Sequence, residues 1–399
     1  MRAVSWTLAT ALALFGVVTL DFLSWRWVVL SAALYLAPLA GQFVTSVHVR
    51  IWSLWLGVFV AFQTVLSAAI FDVDFVSLTP HLDTVVNVTE GLPGISGKQH
   101  VTTDAKGFRV TRPVDYTADD SYRIFVIGGS TTEQIFLDDR KTWTHLLQEN
   151  LAALGRTDVE VINTGVSGLR GPNHVATLKH VLAFHPDMIV FLMGINDWNH
   201  HIKQTFAVEK ESGLSAWKLR RQLLLRNSML GRLVAGLTNR LTAEPVEPGT
   251  VVEERGEYYT NQRGSLNRAE KREFLPQTVD PEYAVILREI SQLCDGVQCV
   301  FMTQPTGYVP EADAAFKAGF WMTPPNEDYA LTFDSMIYIA SLYNSHLERF
   351  TADNGHGFCD IASEIAPGYD VFYDECHFNE KGARRVGELL TACLAPLVN

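Results

Sequence analysis

Charge is scarce in the first 70 of the 399 residues. From Val4 to Ile70 the charged side chains are Asp21, Arg26 and Arg50 alone, with His48 beside Arg50. A stretch so poor in charge does not read as the solvated face of a soluble domain. The three charges divide it into segments 4–20, 27–47 and 51–70, each about as long as a bilayer-spanning helix requires. No small-residue cleavage motif follows Leu20, so a signal peptide accounts for the first segment at most. Trp6, Trp25, Trp27, Trp52 and Trp55 lie near the segment ends, where interfacial anchors belong. The alternative is a buried soluble helical hairpin. Three spans place Arg2 and Arg50 on the cytoplasmic side and Arg26 outside, which sends everything after Phe71 outward. The expectation is a multi-pass anchor in the cytoplasmic (inner) membrane, with membrane lipid as its partner and the rest of the chain extracytoplasmic.

Other absences narrow the function. Basic residues are in deficit, 32 Lys and Arg against 44 Asp and Glu, for a formal charge of −12. That excludes nucleic acid as a general partner. Cysteine is sparse at five residues. Cys294 and Cys299 are close enough to close a small loop, while Cys359, Cys376 and Cys393 leave an odd count. This usage is compatible with an oxidising compartment. His200-His201 lacks a suitably spaced carboxylate or Cys cluster, so no metal and no cofactor are expected. There is no internal repeat and no low-complexity tract. Residues 214–243 hold no acid but carry Lys218, Arg220, Arg221, Arg226, Arg232 and Arg240, with leucines at near-helical spacing. They read as a helical cap, or as a basic amphipathic helix at a membrane surface or an anionic substrate.

What is present is an alternating pattern. Residues 71–120 form a polar, turn-rich connector, with breaks at Leu92-Pro93-Gly94 and Arg112-Pro113. From Tyr122 strands and helices take turns: a strand of buried type at 123–127, a helix over 142–154, strands at 159–162 and 188–193, and a helix beginning near Pro172. After an inserted helical and loop region at about 201–280 come helix 283–293, strand 299–303, helix 328–350, strand 357–361 and helix 380–394. Strands alternating with helices predict an α/β fold, a three-layer sandwich with a central parallel sheet, over residues 121–399.

Four loops end these strands or precede the last helix: Gly128-Gly129-Ser130, Asn163-Thr164-Gly165-Val166-Ser167-Gly168, Gly194-Ile195-Asn196-Asp197 and Asp374-Glu375-Cys376-His377. Each alone is a set of turn formers and helix caps. Together they supply what acyl transfer needs: a nucleophile, a base, a group that orients the base, and oxyanion donors. Ser130 can attack, His377 can take its proton, and Asp374 can hold the other ring nitrogen. The backbone N–H groups of Ser130 and Gly168, with the Asn196 amide, can bind the oxyanion. Glycine at 168 would keep a side chain off the reacting carbonyl.

In these four blocks the chain resembles the SGNH (GDSL-like) serine hydrolases, of the membrane-anchored bacterial type. The resemblance covers about residues 122–197 and 355–394. It implies Ser130 as nucleophile, Gly168 and Asn196 as oxyanion donors, and Asp374 with His377 completing the triad. One departure is Gly129, where many members have Asp. The α/β-hydrolase elbow Gly-x-Ser-x-Gly is not met, because Thr132 occupies its last position. The resemblance and the anchor together imply an esterase or deacylase acting on an acylated envelope glycan or lipid. An O-acyltransferase sharing the same acyl-enzyme, and a catalytically silent glycan-binding domain, are the alternatives.

Overall fold

The computed structural model describes residues 75–117, 121–210, 249–321, 324 and 327–398. The three apolar segments before Phe71 and the basic segment 214–243 lie outside the described residues. Among the described residues no helix is long and apolar enough to cross a membrane.

Two strands, β1 (Asp83–Val88) and β2 (Gly97–Thr102), form an antiparallel hairpin inside the stretch read as a connector. Their burial alternates, so each shows one face to the core and one to solvent. The main sheet begins with β3 (Tyr122–Gly128). One helical turn, α1 (Ser130–Glu133), follows it, then α2 (Trp143–Ala153), β4 (Val159–Asn163), α3 (Gly171–Val181), β5 (Met188–Leu192) and α4 (Ile195–Lys210). The insertion returns as β6 (Thr250–Glu254), short helices α5 (Glu257–Gln262) and α6 (Ser265–Arg268), and β7 (Glu270–Arg272). The chain closes with α7 (Pro281–Leu293), β8 (Gln298–Met302), α8 (Ala314–Ala318), β9 (Tyr329–Leu331), α9 (Phe333–Asn354), β10 (Gly357–Cys359) and α10 (Glu380–Leu394).

The five main strands are all parallel in the order β10-β8-β5-β3-β4. Residues 124–127 of β3, all of β5 and 299–302 of β8 are buried, as strands covered on both faces require. Phe125, Phe191 and Phe301 are fully enclosed. Each such side chain contributes about 1.5–3 kcal/mol by leaving water. The chain steps one way from β3 to β4, then back past β3 to β5, β8 and β10. Right-handed crossovers therefore assign α2 to one face of the sheet and α3, α7 and α9 to the other. In agreement, α2 packs on α10, and α3 packs on α7. This is an α/β three-layer sandwich. The strand order reverses at β3, so Ser130 leaves the sheet at its topological switch point, where such folds bind ligands.

Two boundaries differ from the sequence reading. The helix expected from residue 328 starts at Phe333, because Tyr329–Leu331 pairs in parallel with β7. Thr332 then caps the helix, its hydroxyl accepting from Ser335 N–H. β6 joins the hairpin in parallel with β1, a long-range pairing that local periodicity does not show. Disulfides link Cys294 to Cys299 and Cys359 to Cys393, leaving Cys376 buried and outside any disulfide.

Candidate active site

Ser130 is the first residue of α1, and Gly129 is its cap. The His377 Nε2 atom lies 2.7 Å from Ser130 Oγ, and His377 Nδ1 lies 2.7 Å from Asp374 Oδ2. The Asp374 side chain is almost completely buried. Its other oxygen, Oδ1, accepts the backbone N–H groups of Cys376 at 3.0 Å and His377 at 2.8 Å. An ionised carboxylate can only accept, so Nδ1 carries the proton and Nε2 is left as the acceptor facing the serine hydroxyl. Tyr373 stacks flat on the imidazole, with ring centroids 5.3 Å apart and planes 5° apart. The ring is thus held by a carboxylate on one edge and an aromatic face below.

The Asn196 side chain reaches the same corner. Asn196 is the second residue of α4, shortly after β5, and its Nδ2 donates to Leu169 O at 2.9 Å. A Cβ at position 129 would stand 2.8 Å from that Nδ2. The glycine that departs from the family pattern therefore makes room for the Asn196 amide beside the nucleophile. Gly168 has φ +78°, and a Cβ there would meet nothing within 4 Å. Its glycine is required by the left-handed backbone, not by crowding within the ligand-free site. An amide carries two hydrogens, so Asn196 keeps one donor beyond the bond to Leu169.

Sequence reasoning missed the groups that brace this corner. The Glu133 carboxylate, buried one turn after Ser130, accepts from the Ser167 N–H at 2.5 Å and also from the Ser167 hydroxyl. Asn163 donates from Nδ2 to Thr132 O at 2.7 Å and accepts from Gly165 N–H at 2.9 Å. Arg109 is buried and donates to the carbonyls of Glu133, Gln134 and Leu137, and to Asp139 Oδ1 at 2.7 Å. One guanidinium thus fastens the whole exit from the nucleophile turn. Gln134 sits there at φ +53°, a left-handed conformation that costs a non-glycine residue energy and needs such bracing. Asn163 opens the second motif and Glu133 and Gln134 closely follow the first, so all three were open to suspicion. Arg109 lay in the supposed connector, with no signal at all.

Asp197, next to Asn196, accepts Gly171 N–H at 2.8 Å and so ties the β5 loop to the start of α3. Burial pushes its carboxyl up to about 7, opposed by the Gly171 hydrogen bond and by Arg170. Burial, aided by Arg170, holds His174 down to about 4. The Cys376 thiol is raised well above its ordinary value by burial, then by Asp374 and Glu375. Asp374, Cys376 and His377 present donor atoms within 4.8 Å of one another, a set that could hold a metal ion. Doing so would break the Asp374–His377 hydrogen bond. His200 and His201 do not converge: His200 is 3.7 Å from Glu282, and His201 faces the Tyr343 hydroxyl at 3.1 Å.

No curated protein matches this chain in sequence. Solved structures that resemble it include LAE5, an alpha/beta hydrolase enzyme from the metagenome of Lake Arreo, at 15% identity over 70% of this chain and 98% of that one, TM-score 0.37. A lipase/acylhydrolase from Enterococcus faecalis is 15% identical over 69% of this chain and 97% of that one, TM-score 0.36. The psychrotrophic esterase EstA from Pseudoalteromonas sp. is 12% identical over 70% of this chain and all of that one, TM-score 0.37. Residues 126–385, which run from the strand before Ser130 to the helix after His377, match the GDSL-like Lipase/Acylhydrolase family. The chain belongs to this family of serine ester hydrolases.

Proposed function

We propose that the protein is a membrane-anchored, extracytoplasmic esterase that removes acyl groups from an envelope glycan or lipid through an acyl-enzyme on Ser130. The observation that carries this reading is the relay from Ser130 through His377 to Asp374, with both hydrogen bonds at 2.7 Å. His377 Nε2 takes the serine proton as Oγ attacks the ester carbonyl, and the Asp374 carboxylate stabilises the imidazolium. The oxyanion collects donors from Ser130 N–H, Gly168 N–H and Asn196 Nδ2. The imidazolium returns its proton to the leaving alcohol, and water then repeats the sequence on the acyl-enzyme.

Two disulfides favour an oxidising compartment, and the apolar segments before Phe71 favour an anchor close to envelope substrates. An active-site serine probe applied to the full-length protein tests the reading. It should label Ser130 stoichiometrically, and Ser130→Ala should abolish labelling and lower turnover by about a thousandfold or more. Labelling of another serine would overturn the assignment.

A further inference from the structure

A chain of aromatic rings leads from the catalytic histidine to the surface. Tyr373, stacked on His377, meets Tyr259 edge-on at 5.5 Å. The Tyr373 and Tyr259 hydroxyls are hydrogen-bonded to each other. Tyr259 meets Trp321 at 5.7 Å and Tyr258 at 5.3 Å, and Tyr258 meets Trp321 at 5.4 Å. The first three rings are buried or half-buried, whereas Tyr258 is 49% exposed. Phe136, on the loop that leaves the nucleophile turn, closes on both Tyr259 and Tyr373. Four segments therefore build one wall: the histidine loop, the nucleophile loop, α5 of the insertion and the stretch after α8 that carries Trp321.

We infer that Tyr258, at the outer end of this wall, is a stacking platform for a sugar ring of the substrate, one or more units away from the ester that Ser130 attacks. The inference rests on the esterase reading above and selects glycan over lipid within it. Exposed Arg255, Glu257, Thr260 and Asn261 are the neighbours of Tyr258 along the chain. A pyranose has an apolar C–H face for the tyrosine and equatorial hydroxyls for the polar neighbours, so it uses both. An acyl chain would cover the ring but offer no hydrogen-bonding group to the polar neighbours. The platform is also preformed. Arg263, just past α5, donates to Gly91 O on the β1–β2 turn and lies over the Tyr369 ring at 5.9 Å. A ligand that meets a fixed ring loses little to ordering it.

The test measures binding to full-length protein carrying Ser130→Ala, so that turnover does not interfere. Three ligands are titrated calorimetrically: an O-acetylated linear oligosaccharide, the matching O-acetylated monosaccharide, and methyl hexanoate. The oligosaccharide should bind more tightly than the monosaccharide. Adding Tyr258→Ala should weaken the oligosaccharide by about threefold to tenfold and erase its advantage. Tyr258→Trp should keep that advantage. Equal binding of the two sugars, or equal loss on both with Tyr258→Ala, would overturn the platform. Loss confined to methyl hexanoate would make the wall an acyl-chain site instead. If the serine probe fails while the oligosaccharide advantage depends on Tyr258, the catalytic reading falls and the platform stands.

Discussion

The Glu133 carboxylate holds Ser167 twice, through its backbone N–H and through its hydroxyl. Glu133 ends the single turn that begins at Ser130, and Ser167 immediately precedes Gly168. One buried side chain thereby couples the turn that carries Ser130, the proposed nucleophile, to the loop of Gly168, a proposed oxyanion donor. Glu133→Ala should release the loop and lower the acylation rate by about tenfold to a hundredfold, because small misplacements are costly in a near-attack arrangement. The Michaelis constant should change little. Glu133→Gln keeps one acceptor and should lose less. Stopped-flow acylation by an aryl ester measures both. A loss seen in stability but not in acylation would reduce Glu133 to a packing role.

Asp374→Asn tests the orienting role with unusual clarity. Oδ1 of Asp374 already accepts two backbone N–H groups. An asparagine would keep its oxygen there and turn its NH2 toward His377 Nδ1. Nδ1 would then have to accept, leaving the proton on Nε2, where it blocks transfer from Ser130. Activity should fall by up to about ten-thousandfold, by analogy with other triads. A nearly silent Asp374→Asn would make the site a Ser-His dyad.

The strands and helices that position the site were legible because they are locally encoded. The apolar runs at 124–127 and 188–193, bounded by turn formers, read as doubly covered strands, and the spacing of Ala383, Val386 and Leu390 gives α10 its buried face. The hydrogen-bonded row Ser130–His377–Asp374 was legible because Asp374 and His377 share one loop, and because Ser130 follows a strand. The β1–β2–β6 sheet was not legible. Its strands are half-polar, and β6 lies more than 140 residues from its partner β1. Arg109 was hidden for a related reason: its acceptors are mostly backbone carbonyls, which carry no residue identity. The aromatic wall was hidden because its members, Phe136, Tyr258 with Tyr259, Trp321 and Tyr373, come from four distant stretches.

The proposed anchor predicts a topology. Reporter fusions after Phe71 should be exposed outside the cytoplasm, and a reporter in the loop 46–50 should be inside. Recovery of the full-length chain in the soluble fraction without detergent would reject three spans.

The last prediction concerns two buried groups that oppose each other. Asp197 is pushed up to about 7 from 3.8, chiefly by burial. Between those values the folded state holds a proton that the unfolded chain has released. Its contribution to stability is therefore full at low pH and is lost as pH rises through about 7. His174 is held down to about 4 from 6.5, again chiefly by burial. There the unfolded chain binds a proton that the folded state refuses, so stability is present above 6.5 and is lost as pH falls toward 4. Both effects run in the same window with opposite sign and partly cancel. Asp197→Asn keeps an oxygen for the Gly171 N–H and removes the titration. It should uncover a rise in unfolding free energy between pH 4 and 6.5, with a change in slope of up to about 1.4 kcal/mol per pH unit. His174→Gln should uncover the opposite, a fall over the same interval. Urea unfolding of the full-length protein and both variants from pH 4 to 8 measures the two differences from the parent profile. If Asp197→Asn leaves the slope of the parent intact, Asp197 is ionised throughout that range. Its carboxylate must then find stabilisation beyond the Gly171 hydrogen bond and Arg170.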